Sequence, residues 1–241
     1  MGGELLESIA RSYDAVYETV LESLEKCGRN SDSLKIVGVS KRQPIEKLLA
    51  YECVLRERGH SCIFGENYVQ EAVEKRAVLS TSSKVHLIGP LQSNKAAQAV
   101  DTFDLIQSVH SEKIAVELDK RASTSGSKLE VYLQINISED SDKRGFARKE
   151  CLDFLPRLES LPAISLKGLM TITRLYDDPE QARPDFRSMA EFHQEVQARC
   201  SSSKLELSMG MSADYPIAIE EGATVVRLGT VLFGPRNACH F

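Results

Sequence analysis

Residues Lys35 to Lys41 read KIVGVSK, and the reading of the fold starts from them. Ile36, Val37 and Val39 make a short, nearly unbroken β-branched run, the pattern of a strand covered on both faces. The run stops at Ser40-Lys41, so a lysine stands at the carboxyl end of a buried strand. In α/β folds the reacting groups collect at that end, because the loops leaving the strands converge there over a rigid sheet. Apolar walls would strip hydration from an ammonium, lower its pKa and leave more of the neutral amine that attacks an aldehyde. The plainer reading makes Lys41 a solvated residue opening the next helix, since Arg42 and Pro44 follow.

Outward from this stretch the text alternates. Strand-like runs fall at 34–40, 61–64, 84–88, 103–107, 129–137, 164–170, 204–207 and 224–228, with helical patterns at 44–58, 67–79, 92–100, 111–122, 148–159, 180–200 and 213–221. An opening helix over 4–26 carries Leu5, Ile9, Tyr13, Val16, Val20, Leu21 and Leu24 on one stripe and ends at Gly28-Arg29-Asn30. Eight such units predict an α/β fold, a single (β/α)8 TIM barrel with an additional N-terminal helix, as one domain over 1–241; an open doubly wound sheet is the rival. The Gly-rich and polar clusters favour the barrel. Ser40-Lys41, Gly65-Glu66-Asn67, Gly89-Pro90, 138–145, Thr171, Ser208 to Ser212 and Gly229-Thr230 all follow strands, and would meet at one mouth.

At 241 residues and 42% hydrophobic content the chain supports one large core, and a net charge of -5 offers no field for nucleic acid or anionic lipid. No apolar run has the length of a membrane span, and the acidic, helical start is unlike a targeting signal. The six cysteines (27, 53, 62, 151, 200 and 239) show no CxxC and the five histidines no HExxH, so neither metal nor a disulfide framework is expected. These readings point to a cytoplasmic protein with a small-molecule partner. A barrel with a polar helical exterior needs no second copy, so a monomer is expected.

Near the end, ELSMGMS (206–212) and VVRLGT (225–230) flank a helical pattern. In barrels the loops after the last two strands, with the start of a short extra helix, commonly bind phosphate through free backbone N–H groups. Ser208, Gly210, Gly229 and Thr230 suit such a cradle, although two ordinary strand-to-helix turns would use the same residues. Arg227 lies inside an apolar run and needs a partner: an acidic residue, or a heterocyclic nitrogen. Strand-end lysine, phosphate cradle and arginine together describe one ligand, pyridoxal 5'-phosphate. An aldolase-type amine acting on a sugar phosphate fits Lys41 but leaves Arg227 unexplained.

Seven segments, VGVSK (37–41), FGENYVQE (64–71), HLIGPLQSNK (86–95), QINIS (134–138), GLMTI (168–172), LSMGMS (207–212) and VRLGTVLFG (226–234), run nearly end to end. With them the chain resembles the pyridoxal phosphate homeostasis proteins, also called the proline synthetase co-transcribed homologues, relatives of the amino-terminal barrel of alanine racemase. The resemblance implies that Lys41 is the internal-aldimine lysine and that Arg227 faces the pyridine nitrogen. It also implies that Ser208, Gly210, Gly229 and Thr230 lie about the phosphate, and that Asn67 and Met170 line the pocket. The chain departs from the pattern in extra residues within LLAYECVLRERGHSC (48–62), in Pro216, which would shift the helix beside the phosphate, and in its Gly-Pro-Arg ending.

Three further residues sit near the mouth. His86 reads as a hydrogen-bonded strand-end histidine rather than a base, and Asn94-Lys95 as the start of a solvated helix. Lys143 in SEDSDKRG reads as a surface charge, or as an amine that takes the aldehyde transiently during hand-off. A racemase or lyase needs a second acid/base facing the lysine. The chain is therefore expected to store the cofactor and pass it to apo-enzymes without turnover, the alternative being a small amino-acid racemase or lyase.

Overall fold

The computed structural model describes residues 3–140, 142–174, 176–200 and 204–235. Eight parallel strands close into a barrel in chain order: β1 (Lys35–Val39), β2 (Ile63–Glu66), β3 (Lys84–Leu87), β4 (Leu105–Val109), β5 (Leu129–Ile135), β6 (Ile164–Thr171), β7 (Glu206–Ser208) and β8 (Val225–Leu228). The ring shuts where Val37 of β1 pairs with Arg227 of β8. Around it run α1 (Gly3–Lys26), α2 (Ile45–Glu57), α3 (Val69–Arg76), α4 (Ala96–Thr102), α5 (Glu112–Ser125), α6 (Arg148–Glu159), α7 (Arg183–Arg199), α8 (Tyr215–Glu220) and α9 (Thr230–Phe233).

The expected barrel with its opening helix is the fold observed. Alternation along each strand sorts side chains into two apolar layers. Val37, Ile63, Leu105, Tyr132, Met170 and Val225 fill the interior. Residues such as Phe64, Ile106, Leu133, Leu169 and Val226 face the helices in one continuous outer core. The amino-terminal floor is polar: Lys35 and the Tyr132 hydroxyl both donate to the carboxylate of Glu206. α1 buries Ile9, Tyr13, Val16, Val20 and Leu24 against α2, α8 and α9, covering the outside of the β1–β8 seam.

Several boundaries differ from the sequence reading. β2 begins two residues later than expected and takes in Gly65 and Glu66, which pair with His86 and Leu87 of β3. A buried glutamate is legible as strand only once its cationic partner on α3 is known. β4 likewise begins two residues later than expected and runs on through Ser108 and Val109; Gln107 and Ser108 are both fully buried, with their polar atoms bonded across the barrel and to the Gly89 carbonyl. Residues 48–62 form most of α2 and its exit turn, where His60 Nδ1 lies 2.5 Å from the Tyr13 hydroxyl, at the end of the barrel away from Lys41. Pro216 sits in the first turn of α8, where no intrahelical N–H is needed, so it is compatible with the start of the helix. The ending from Arg236 to Phe241, Cys239 included, lies outside the described residues.

Candidate functional site at the carboxyl end of the barrel

Lys41 is half-buried immediately beyond β1, in a turn whose backbone is tied down on both sides. Ser40 N–H donates to the Gly65 carbonyl at 3.0 Å, and the Ser40 hydroxyl to Glu66 Oε1 at 2.5 Å. The Lys75 ammonium donates to the Ser40 carbonyl at 2.6 Å, and the Arg42 N–H to Glu71 Oε1 at 2.5 Å. Arg42 itself is left-handed, with φ 56, a conformation that costs about 1 kcal/mol for a residue with a side chain. Burial raises the Glu66 carboxyl, and the adjacent Lys75 pulls it back only in part.

The β7 and β8 loops meet beside this turn. Arg227 N–H donates to the Gly210 carbonyl at 3.1 Å, and Gly229 N–H to the Ser212 hydroxyl at 3.1 Å. Gly210 has φ 90, and a Cβ there would fall 2.5 Å from Ala218 Cβ, so the loop can lie against α8 only without a side chain. A Cβ on Gly229 would stand 3.4 Å from Val39 Cβ. The loop leaving the last strand therefore touches the end of the first. The Gln43 amide and the Lys47 ammonium extend the tie by donating to the Gly234 and Phe233 carbonyls at the end of α9.

Below the mouth a directed hydrogen-bond chain crosses the barrel. Arg227 donates through Nη2 to the Thr171 carbonyl at 2.7 Å and through Nη1 to Ser208 Oγ at 2.7 Å. Ser208 donates in turn to Gln107 Oε1 at 2.7 Å, and the Gln107 amide to His86 Nδ1 at 3.1 Å. Arg227 is 4% exposed and rests on neutral oxygens, making no ion pair among the described residues. Burial pulls its pKa down to about 10, opposed by the buried Asp214. His86 is pushed down to about 4, chiefly by burial, so its ring is neutral and accepts.

The structure gathers Lys41, Gly210, Arg227, Gly229 and the exposed Thr230 around the β1–β8 seam. Met170 is fully buried in the barrel interior, paired with Ser208 in register, and Asn67 is half-buried directly after β2. Ser208 is not with the loops: it is wholly buried, and both its hydrogen-bonding roles are taken by Arg227 and Gln107. Ser212 stands beside Gly229 instead, and the second serine of LSMGMS was the signal for it. His86 is structural, as expected. Lys95 bonds to Gln70 of α3 at 3.3 Å, whereas Lys143 reaches the mouth and donates to the Ile172 and Thr173 carbonyls just past β6, with its pKa lowered mainly by burial. The sequence reading missed Gln107 and the Glu66–Lys75–Glu71 cluster, whose members are ordinary polar letters until the fold brings them together.

The model for the alanine racemase N-terminal domain family matches residues 28–237. The chain is similar to the pyridoxal phosphate homeostasis protein of Haemophilus influenzae, at 36% identity over 95% of this chain and 97% of that one. The fold is similar to PipY of Synechococcus elongatus PCC7942 solved with PLP bound, with TM-score 0.78 and 36% identity over 89% of this chain and all (100%) of that one. An alanine racemase from Clostridium difficile 630 shares the fold at TM-score 0.68 and 18% identity, over 90% of this chain and 55% of that one.

Proposed function

Because this chain belongs to the alanine racemase N-terminal domain family, and within it to the pyridoxal phosphate homeostasis proteins, we propose that it holds pyridoxal 5'-phosphate on Lys41 and supplies it to apo-enzymes. The observation that carries this reading is the contact of two loops. The turn bearing Lys41 adjoins the glycine loop at Gly229, which lies against Val39 at the end of β1, above an arginine that among the described residues is hydrogen-bonded to neutral groups alone. An amine, a glycine-lined loop and a buried guanidinium are the complement of an anionic aldehyde.

The ligand, when bound, supplies an aldehyde carbon with which a neutral amine condenses to a Schiff base, releasing water. Lys41 is the amine. Gly210, Ser212, Gly229 and Thr230 would hold the phosphate, with glycines admitting close approach and hydroxyls adding donors without bulk. Arg227 would face the ring nitrogen; a guanidinium donates and never accepts, so the nitrogen stays unprotonated and the ring a weak electron sink. Ser208 acts one layer below by fixing the guanidinium, and Met170 and Asn67 line the walls. The protein accordingly stores the ligand as a monomeric single-domain cytoplasmic carrier, without turnover of amino acids.

The test is spectroscopic and chemical. Purified protein should carry an absorption band that Lys41→Ala abolishes, yield neither keto acid nor D-isomer from a panel of amino acids, and load an apo-enzyme behind a trap for free aldehyde. Sustained turnover of any amino acid overturns the carrier reading. A band that survives Lys41→Ala overturns the assignment of the amine.

A further inference from the structure

Outside the ligand pocket, the most heavily buried charges on this side of the barrel are Glu66 and Lys75, at 1% and 5% exposed. All three Lys75 hydrogen bonds are used: on Glu66 Oε1 at 2.7 Å, on Glu71 Oε1 at 2.7 Å and on the Ser40 carbonyl at 2.6 Å. Glu66 is used lopsidedly. Its Oε1 accepts from both Ser40 and Lys75, while Oε2 is buried with no partner among the described residues. A cluster serving only to dock α3 on the barrel would be expected to satisfy its own atoms first.

This one sends its bonds to the two neighbours of Lys41 instead. The Ser40 hydroxyl, the Ser40 carbonyl and the Arg42 N–H are each fixed by a charged member, and the Arg42 backbone is held left-handed at φ 56 as a result. A left-handed non-glycine residue persists only where its surroundings over-determine it. The lysine side chain has four rotatable bonds, so the arc its amine can sweep depends on where the Cα is pinned.

We propose that Glu66, Lys75 and Glu71 are positioning residues for the Lys41 amine: a buried clamp on the backbone either side of it that sets how readily the amine captures an aldehyde. They touch no ligand. This inference rests on Lys41 being the reacting amine, and the experiment separates the two claims. Capture joins the Lys41 nitrogen to the aldehyde carbon and expels the carbonyl oxygen as water, with both amine protons leaving in that water. The alcohol analogue, pyridoxine 5'-phosphate, fills the ring and phosphate sites without that step.

Wild type, Lys41→Ala, Glu71→Ala, Glu71→Gln and Ser40→Ala would be titrated with both compounds, with thermal unfolding confirming the fold. Glu71 is partly exposed and Ser40→Ala deletes one hydroxyl, so these variants avoid an uncompensated buried charge. Glu71→Ala should weaken the aldehyde about tenfold, as for loss of one charge-assisted hydrogen bond, and the alcohol by less than about twofold. Ser40→Ala should fall in the same direction, and Glu71→Gln, which keeps an acceptor for Arg42 N–H, should recover most of the loss. Equal losses for both compounds, or none in either alanine variant, would overturn the clamp. If Lys41→Ala binds the aldehyde as wild type does, the proposed amine fails first; if only Lys41→Ala loses it, the clamp alone fails.

Discussion

Arg227 donates to Ser208 Oγ at 2.7 Å in a fully enclosed layer of the barrel, where it makes no ion pair among the described residues. A buried guanidinium in that position costs desolvation energy that the nearby Asp214 returns only in part. It is therefore a residue kept at the expense of stability. We expect Arg227→Met to weaken pyridoxal 5'-phosphate at least about tenfold while changing the unfolding free energy by less than about 1 kcal/mol in either direction, since buried charges are often replaced by apolar groups at little cost. Denaturant titration with ligand titration checks both halves. A large loss of stability would mean that the guanidinium is a structural strut.

His86, at the far end of the same chain, gives the fold a pH dependence of definite sign. Its folded pKa of about 4 lies below the ordinary histidine value of 6.5, so between these values the unfolded chain binds the extra proton. Stability is full above the unfolded pKa and falls as pH drops toward the folded one, by about 3 kcal/mol in all. Unfolding titrations at stepped pH should show this slope in wild type and a flatter profile in His86→Gln.

Gly210 and Gly229 should respond differently to alanine. At Gly210 a Cβ meets Ala218 Cβ at 2.5 Å on a backbone with φ 90, so Gly210→Ala should cost about 2 kcal/mol or more and displace the loop. At Gly229 the nearest atom is 3.4 Å away and φ is negative, so the unliganded fold should tolerate the methyl. Gly229→Ala should lower phosphate-ester affinity with a midpoint near that of wild type, as thermal unfolding with and without pyridoxine 5'-phosphate will show.

Lys143 ties the 138–145 loop to the end of β6 through the Ile172 and Thr173 carbonyls. Lys143→Ala should speed amide exchange in that loop about tenfold, as for loss of roughly one net hydrogen bond. If transfer to an apo-acceptor is unchanged in the same variant, a role for this amine in hand-off is removed.

How far the sequence could be read depended on the range of the interactions involved. The β-branched run at Ile36–Val39 and the stripe through Ile9, Tyr13, Val16 and Val20 are local patterns, and the barrel and its opening helix followed from them. The site was legible where single residue types are chemically unusual in place: a lysine ending a buried strand, an arginine inside an apolar one. Ser208 and Ser212 are indistinguishable on paper, because only the register of β7 decides which hydroxyl lies inside the barrel and which at its rim. Glu66 read as loop, because the lysine that makes its burial tolerable lies nine residues away on a helix whose docking the sequence does not announce.

The contact of Gly229 with Val39 has a consequence for biosynthesis. The two halves of the site belong to the first and last strands of the ring, so on the ribosome the amine emerges long before the cradle that complements it. A nascent chain with seven strands outside the tunnel has Lys41 but cannot clasp an anion beside it. Loading must wait until β8 has left the tunnel, and a chain truncated before β8 would be born unable to load at all.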